Sequence, residues 1–200
     1  MTGPTRNARG QRTHAAIQSA ALRLLRSEGP GAVSMESVAR EAGCSRRALY
    51  LHFGSRAELL ISLIRYIDEN EGLVEQQAPV RDAPSAEQAL RSWADFLARY
   101  HGRIAPIVLA VRRERDTDEA ARHMWSSAMA GWRGSCAELV QRLEQDGVLH
   151  PRFQSPERAV DLMWSLMNLE LLRDLVQECG WSTEDYGSML GELLVSTFLA

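Results

Sequence analysis

Residues 34–56 read SMESVAREAGCSRRALYLHFGSR, and the punctuation in this stretch sets the fold. Ser34 is a natural N-cap, since its hydroxyl can accept from an orphan backbone N–H, so a short helix is expected over Met35–Ala42. Gly43 stops it, where a positive φ is cheap only for glycine. Ser45 then starts a second short helix to about Phe53. Ala39 is small enough for the two helices to cross closely, and Val38, Ala42 and Leu49 supply apolar inner faces. Two short helices joined by a glycine-containing turn have the layout of a helix-turn-helix.

Working outward, Ala16, Ile17, Ala20, Ala21, Leu24 and Leu25 recur at helical spacing, so a helix over about Thr13–Ser27 precedes the pair. Glu28-Gly29-Pro30-Gly31 ends it. Ser55-Arg56-Ala57-Glu58 is a capping box that opens a long helix to about Gln77. Residues 78–84, with Pro79 and Pro84, read as a loop. Helices are expected near 85–100, 104–115, 118–145, 156–178 and 183–199, with Pro106 in a first turn. Strand signals are nearly absent. The expected fold is all-α, with about nine helices: a three-helix head over 11–60 behind a flexible basic arm (1–10), then a helical body over 61–200.

The chain has 200 residues, 45% hydrophobic and 24% charged, which excludes a disordered or collagen-like polymer. Its net charge of −3 hides a split. Residues 1–60 hold nine Arg against four acidic residues, leaving +5, and the remainder holds 14 Arg against 22 acids, leaving −8. A basic head on an acidic body points to a polyanion partner for the head alone. Every basic residue apart from histidine is Arg. Three scattered Cys (44, 136 and 179), without a CxxC, make neither a disulfide framework nor a zinc site. His101, His123 and His150 lack metal-ligand spacing, and no cofactor is called for. The polar start MTGPTRNARGQRTH contains no signal-peptide core, and no apolar run of about 18 residues exists to span a membrane. A cytoplasmic protein is expected.

On the second short helix, Ser45, Arg46, Arg47, Tyr50 and His52 face outward. Arg bonds guanine edges bidentately, whereas Tyr, His and Ser suit phosphate oxygens. The residues Arg12-Thr13, Ile17, Ala20-Ala21, Leu24, Gly29, Ser34, Val38-Ala39, Ala42-Gly43, Ser45, Leu49-Tyr50, His52-Phe53, Ser55-Arg56 and Glu58-Leu59 resemble the N-terminal signature of the tetracycline-repressor family. The order and spacing hold over about residues 11–61. Two positions depart: Arg47-Ala48 stands where Gly-Thr is frequent, and Arg56 where Lys is usual. The first change bears on sequence preference, and the second keeps the charge. The resemblance implies double-stranded DNA as partner, with Ser34, Ser45, Arg46, Arg47, Tyr50, His52 and Arg56 as the contact set. Within it, Arg46 and Arg47 are expected to read bases and His52 and Arg56 to hold phosphates.

It also implies a ligand-binding and dimerisation body. The segment 156–178 is apolar nearly all round, broken by a polar strip of Asp161, Ser165 and Asn168. Segment 183–199 carries Gly187 and Gly191 in its interior, each costing about 1 kcal/mol against Ala unless a helix approaches closely. Both helices are therefore expected at a homodimer seam. Phe96, Tyr100, Trp125, Met129, Trp132, Met163, Trp164 and Met167 are the candidate lining of a pocket for a small apolar effector. Each would serve equally well in a filled core. The expectation is a ligand-responsive regulator rather than an enzyme, most simply a repressor on a palindromic operator. An activator, an architectural DNA-binding protein with no ligand, and an enzyme or carrier using the helical body remain the other readings.

Overall fold

The computed structural model describes residues 4–200, and the side chains from Gly10 onward except that of Glu71. Residues 1–3 of the expected arm lie outside the described residues. The chain divides into two compact units. One comprises the chain up to Glu71 together with Pro106–Trp125, and the other Gly72–Ala105 with Ser126–Ala200.

In the first unit, α1 (Pro4–Glu28), α2 (Met35–Glu41), α3 (Arg46–His52) and α4 (Arg56–Glu71) form the head. Helix α1 begins at Pro4, well before the expected Thr13, because Pro is pre-organised for a first turn and Arg, Ala and Gln sustain a helix across Gly10. Gly29, at φ 82°, and a short 3-10 turn over Pro30–Ala32 lead to α2. Ser34 caps α2 by accepting from the Ser37 N–H at 3.1 Å. The α2–α3 turn closes through Gly43 at φ 65°, as its position requires, and the Cys44 N–H donates to the Ala39 carbonyl at 3.0 Å. Ser45 caps α3 by accepting from Ala48 N–H at 3.1 Å. Ile17, Ala20, Ala21, Val38, Leu49, Leu59 and Leu63 are wholly buried and make the core on which α3 is seated.

The capping box at α4 forms by halves. The Ser55 hydroxyl accepts from the Glu58 N–H, but the Glu58 carboxylate reaches one residue further back, to the Gly54 N–H at 2.6 Å. Helix α4 stops at Glu71 rather than Gln77, because Gly72 adopts the left-handed conformation at φ 64°.

The second unit contains two one-turn helices, α5 (Leu73–Gln76) and α6 (Ala78–Arg81), within and beside the expected loop. Helix α7 (Ala86–Glu114) runs unbroken where two helices were expected, and Pro106 lies inside it. No capping residue stands between Tyr100 and Ile104, and the apolar period continues through Leu97, Ile104, Val108 and Val111. The carbonyl that Pro106 leaves without a donor belongs to the exposed Gly102, where water can reach it. Helix α8 spans Glu119–Gln145. Residues 156–178 are likewise not one helix. Helix α9 (Pro156–Leu166) ends at Met167, Asn168 caps α10 (Leu169–Arg173) by accepting from the Glu170 N–H at 2.9 Å, and a π turn follows over Asp174–Glu178. Helix α11 (Thr183–Phe198) opens with a full capping box between Ser182 and Asp185. Among the described residues no strand forms; Leu149 and Leu199 make an isolated antiparallel bridge.

Gly187 and Gly191 are buried against α7 of the same chain, which corrects their placement at a subunit seam. A Cβ on Gly187 would lie 3.2 Å from the Ala98 Cβ, and one on Gly191 3.7 Å from the Ala94 Cβ. The close approach that their composition demanded exists, but the partner helix is internal.

Candidate nucleic-acid interface and helical body

The inner face of α3 is fixed by Leu49, wholly buried, and Phe53 follows it into the core. The opposite face is open. Arg46 and Arg47 are exposed, and Tyr50 is 47% exposed. Leu51 is 79% exposed, so its apolar side chain gains little from folding. Sequence reasoning passed over it. The signal was there, because Leu51 lies four residues after Arg47 and so shares its face. Ser34 and Ser45 present capped hydroxyls at the starts of α2 and α3.

His52 is half-buried, with its ring 5.9 Å from that of His14, edge to face. His14 also lies 4.7 Å from the Phe53 ring. Partial burial and then the neighbouring His52 hold the His14 imidazole below its ordinary pKa, against a hydrogen bond with Gln18 that raises it. Arg56 sits apart from the α3 set in its bonding. Its Nη2 donates to the Pro30 carbonyl at 2.6 Å, its Nε to the Val33 carbonyl, and its Nη1 to the Glu114 carboxylate. The guanidinium expected to hold a phosphate is thus engaged by three protein oxygens. Its local work is to join the start of α4 to the 3-10 turn and to the end of α7.

In the second unit, the structure brings together three of the eight candidate pocket residues. Phe96 stacks between Trp93 and Tyr100, with ring centroids at 5.5 and 5.4 Å. His101 continues the set and lies 4.9 Å from the Trp132 ring. Met163 and Met167 are buried, Met167 with its sulfur 3.1 Å from the Cys136 Sγ, and Met129 and Trp164 are half-buried. Trp125 belongs to the first unit, where the guanidinium carbons of Arg112 and Arg115 lie 5.4 and 5.7 Å from its ring. A cavity of about 300 Å³ opens in the second unit, lined by Gln77, by Val80 and Arg81 of α6, by Trp93 of α7, and by Ser135, Glu138, Leu139 and Arg142 of α8. None of the eight candidates lines it. Aromatic and Met content in the sequence could not separate the wall of a cavity from a filled core.

Among the described residues, the buried ring nitrogens Trp93 Nε1 and His101 Nε2 have no hydrogen-bond partner. His101 is 2% exposed, and burial pushes its pKa down to about 3. It is a neutral ring at physiological pH. No helix among the described residues is long and apolar enough to cross a membrane.

Comparison with known proteins agrees with this arrangement. Residues 17–63 match the family model described as bacterial regulatory proteins, tetR family. The HTH-type transcriptional regulator EthR of Mycolicibacterium smegmatis is 24% identical over 172 residues, covering 82% of this chain and 78% of that protein. Among solved structures, a protein from Saccharomonospora viridis in complex with choline superposes with a TM-score of 0.72 at 17% identity, over 95% of this chain and 99% of that one. NalD, the secondary repressor of the MexAB-OprM multidrug efflux pump in Pseudomonas aeruginosa, gives 0.69 at 22% identity, over 95% and 98%. Residues 17–63 thus carry the tetR-family signature, and the same fold as in these regulators extends across nearly the whole chain, so the protein is similar to the DNA-binding transcriptional regulators of that family.

Proposed function

We propose that the protein is a homodimeric repressor that binds a palindromic operator in the cytoplasm and is released by a small, mainly apolar molecule. The observation that carries this reading is the outer face of α3. A helix of two turns, capped at Ser45 and anchored by Leu49, holds Arg46, Arg47, Tyr50 and Leu51 out to solvent. Arg46 and Arg47 read base edges, Leu51 meets a thymine methyl, and Tyr50, His52, Ser34 and Ser45 hold phosphates. In a two-fold dimer the two α3 helices enter successive major grooves about 34–36 Å apart.

The dimer seam draws on what α9 and α11 leave open. Leu162 of α9 is 39% exposed, and Met189 and Leu193 of α11 are half-buried. The effector site is the α6–α7–α8 cavity, backed by the stacked rings of Trp93, Phe96 and Tyr100. The choline held by the Saccharomonospora viridis protein and the repressor role of NalD support a ligand-responsive repressor. A ligand that prefers one conformation of the body lowers operator affinity by the ratio of its affinities for the two states. The long helix expected to reach about Gln77 ends at Glu71.

Selection of binding sites from random duplex DNA tests the proposal. A two-fold symmetric motif with half-sites one helical turn apart is expected, bound by a species of twice the chain mass in sedimentation. Enrichment of no motif, or binding by the monomer, would refute it.

A further inference from the structure

We propose that His14 of α1 is a positioning residue for DNA binding, fixing the ring of His52 at the end of α3 where that ring meets a phosphate. The inference rests on the reading of His52 as a phosphate contact and adds the residue that holds the contact in place. His14 itself stands outside the expected contact set. Its ring lies 5.9 Å from that of His52 at an interplanar angle of 71°, edge to face, and 4.7 Å from that of Phe53. His52 is the last residue of α3, and Phe53 leaves the helix at φ −139° to enter the core, 4% exposed. His14 therefore lies against both residues at the point where the outward-facing helix ends. An edge-to-face ring pair is worth about two- to tenfold in an equilibrium constant.

The His14 ring is held from behind as well. Gln18, one turn further along α1, donates from its Nε2 to the Ser62 carbonyl of α4 at 3.3 Å. The hydrogen bond between Gln18 and His14 raises the His14 pKa, as an acceptor does by favouring the protonated ring. The acceptor on an amide side chain is its carbonyl oxygen, so His14 is the donor. A line of contacts thus runs from Ser62 of α4, through Gln18 and His14 of α1, to His52 of α3, all inside the head unit. Packing on Phe53 alone would need only an apolar ring; the tether to Gln18 sets which way this ring faces. Burial, and then His52, disfavours a charge on His14, which suits it to hold the ring that meets a phosphate rather than to meet one itself.

The test is a double-mutant cycle on the full chain, read by fluorescence anisotropy with a random-sequence DNA duplex at low salt, since phosphate contacts carry no sequence information. Urea unfolding of each variant reports on the head separately. His52→Ala and His14→Ala should each weaken binding about three- to tenfold. The double variant should bind within about twofold of His52→Ala, because His14 acts only through His52. A merely structural His14 would weaken binding by the same factor in both backgrounds. Should His14→Ala not fold, Gln18→Leu frees the same ring and carries the same cycle, with a loss of about two- to threefold that vanishes beside His52→Ala. Losses that multiply in the double variant, or wild-type affinity for His14→Ala, would overturn the proposal while leaving the His52 contact standing. Wild-type affinity for His52→Ala would refute the phosphate reading of His52 and this inference with it.

Discussion

The guanidinium of Arg56 and the carboxylate of Glu114, 58 positions apart in the chain, form an ion pair inside the head unit. The two side chains are 26% and 25% exposed, so water screens the pair only in part. The same guanidinium donates to the Val33 carbonyl and to the Pro30 carbonyl, which also accepts from the Val33 N–H at 3.3 Å. Arg56→Ala removes the donor from the Val33 carbonyl and the cation from a part-buried carboxylate, and should destabilise the head by about 1–3 kcal/mol in urea unfolding. Its effect on DNA should differ from that of a phosphate holder. An Arg that neutralises a phosphate lowers the salt slope of binding by about 1 when removed, whereas Arg56→Ala should leave that slope unchanged. A reduced slope with unchanged stability would return Arg56 to the contact set.

Arg46, Arg47 and Leu51 should behave in the opposite way. Each Arg→Ala substitution is expected to cost about 1–3 kcal/mol on the preferred operator and relax one or two positions in a selected motif. Leu51→Ala removes apolar contact only, so its loss should be confined to an A·T position and appear little in the unfolding midpoint, since Leu51 is largely exposed in the free protein. Identical selected motifs from all three variants and the wild type would contradict this division.

The head was legible because its determinants are local. Ser34, Gly43 and Ser45 fix caps and a turn within a few residues of themselves, and Ile17, Val38 and Leu49 announce the core by spacing. The body was less legible because its outcomes depend on distant partners. Pro106 is tolerated inside α7 on account of an exposed Gly102 carbonyl and a continuing apolar stripe, which no local rule anticipates. Asn168 looked like part of a polar strip until its side chain proved to be a cap. Arg56 was read by its charge, but what it does follows from Glu114, whose proximity the sequence does not display.

The placement of Gly187 and Gly191 against α7 reverses an expectation about assembly. Were they at a subunit seam, Gly191→Leu would favour the monomer. Buried within the protomer, with Ala94 and Arg91 3.7 Å from any added Cβ, the leucine has no room to extend. Overpacking of this kind typically costs about 1–3 kcal/mol. The variant should therefore lose that much in urea unfolding while sedimenting at the wild-type mass. Dissociation without loss of protomer stability would restore the seam.

His101 makes stability depend on pH in a defined direction. The ring is 2% exposed, faces Trp132 and Tyr100, and is held neutral with its pKa pushed down to about 3 by burial. In the unfolded chain a histidine titrates near 6.5. Between those values the unfolded state binds a proton that the folded state refuses, so stability rises with pH across the window. The contribution is complete above about pH 6.5 and is lost as the pH falls toward 3, by at most about 1.4 kcal/mol per unit from this one group. His14, whose pKa burial and His52 also lower, adds a loss of the same sign, so the wild type alone cannot assign the effect. His101→Phe isolates it. Urea unfolding at pH 7.5, 6.5 and 5.5 should show the wild type losing about 1 kcal/mol more than the variant between the last two values, with the two proteins parallel above pH 7. Parallel curves down to pH 5.5 would mean that the His101 ring accepts its proton in the folded state, which is incompatible with its burial among Tyr100 and Trp132.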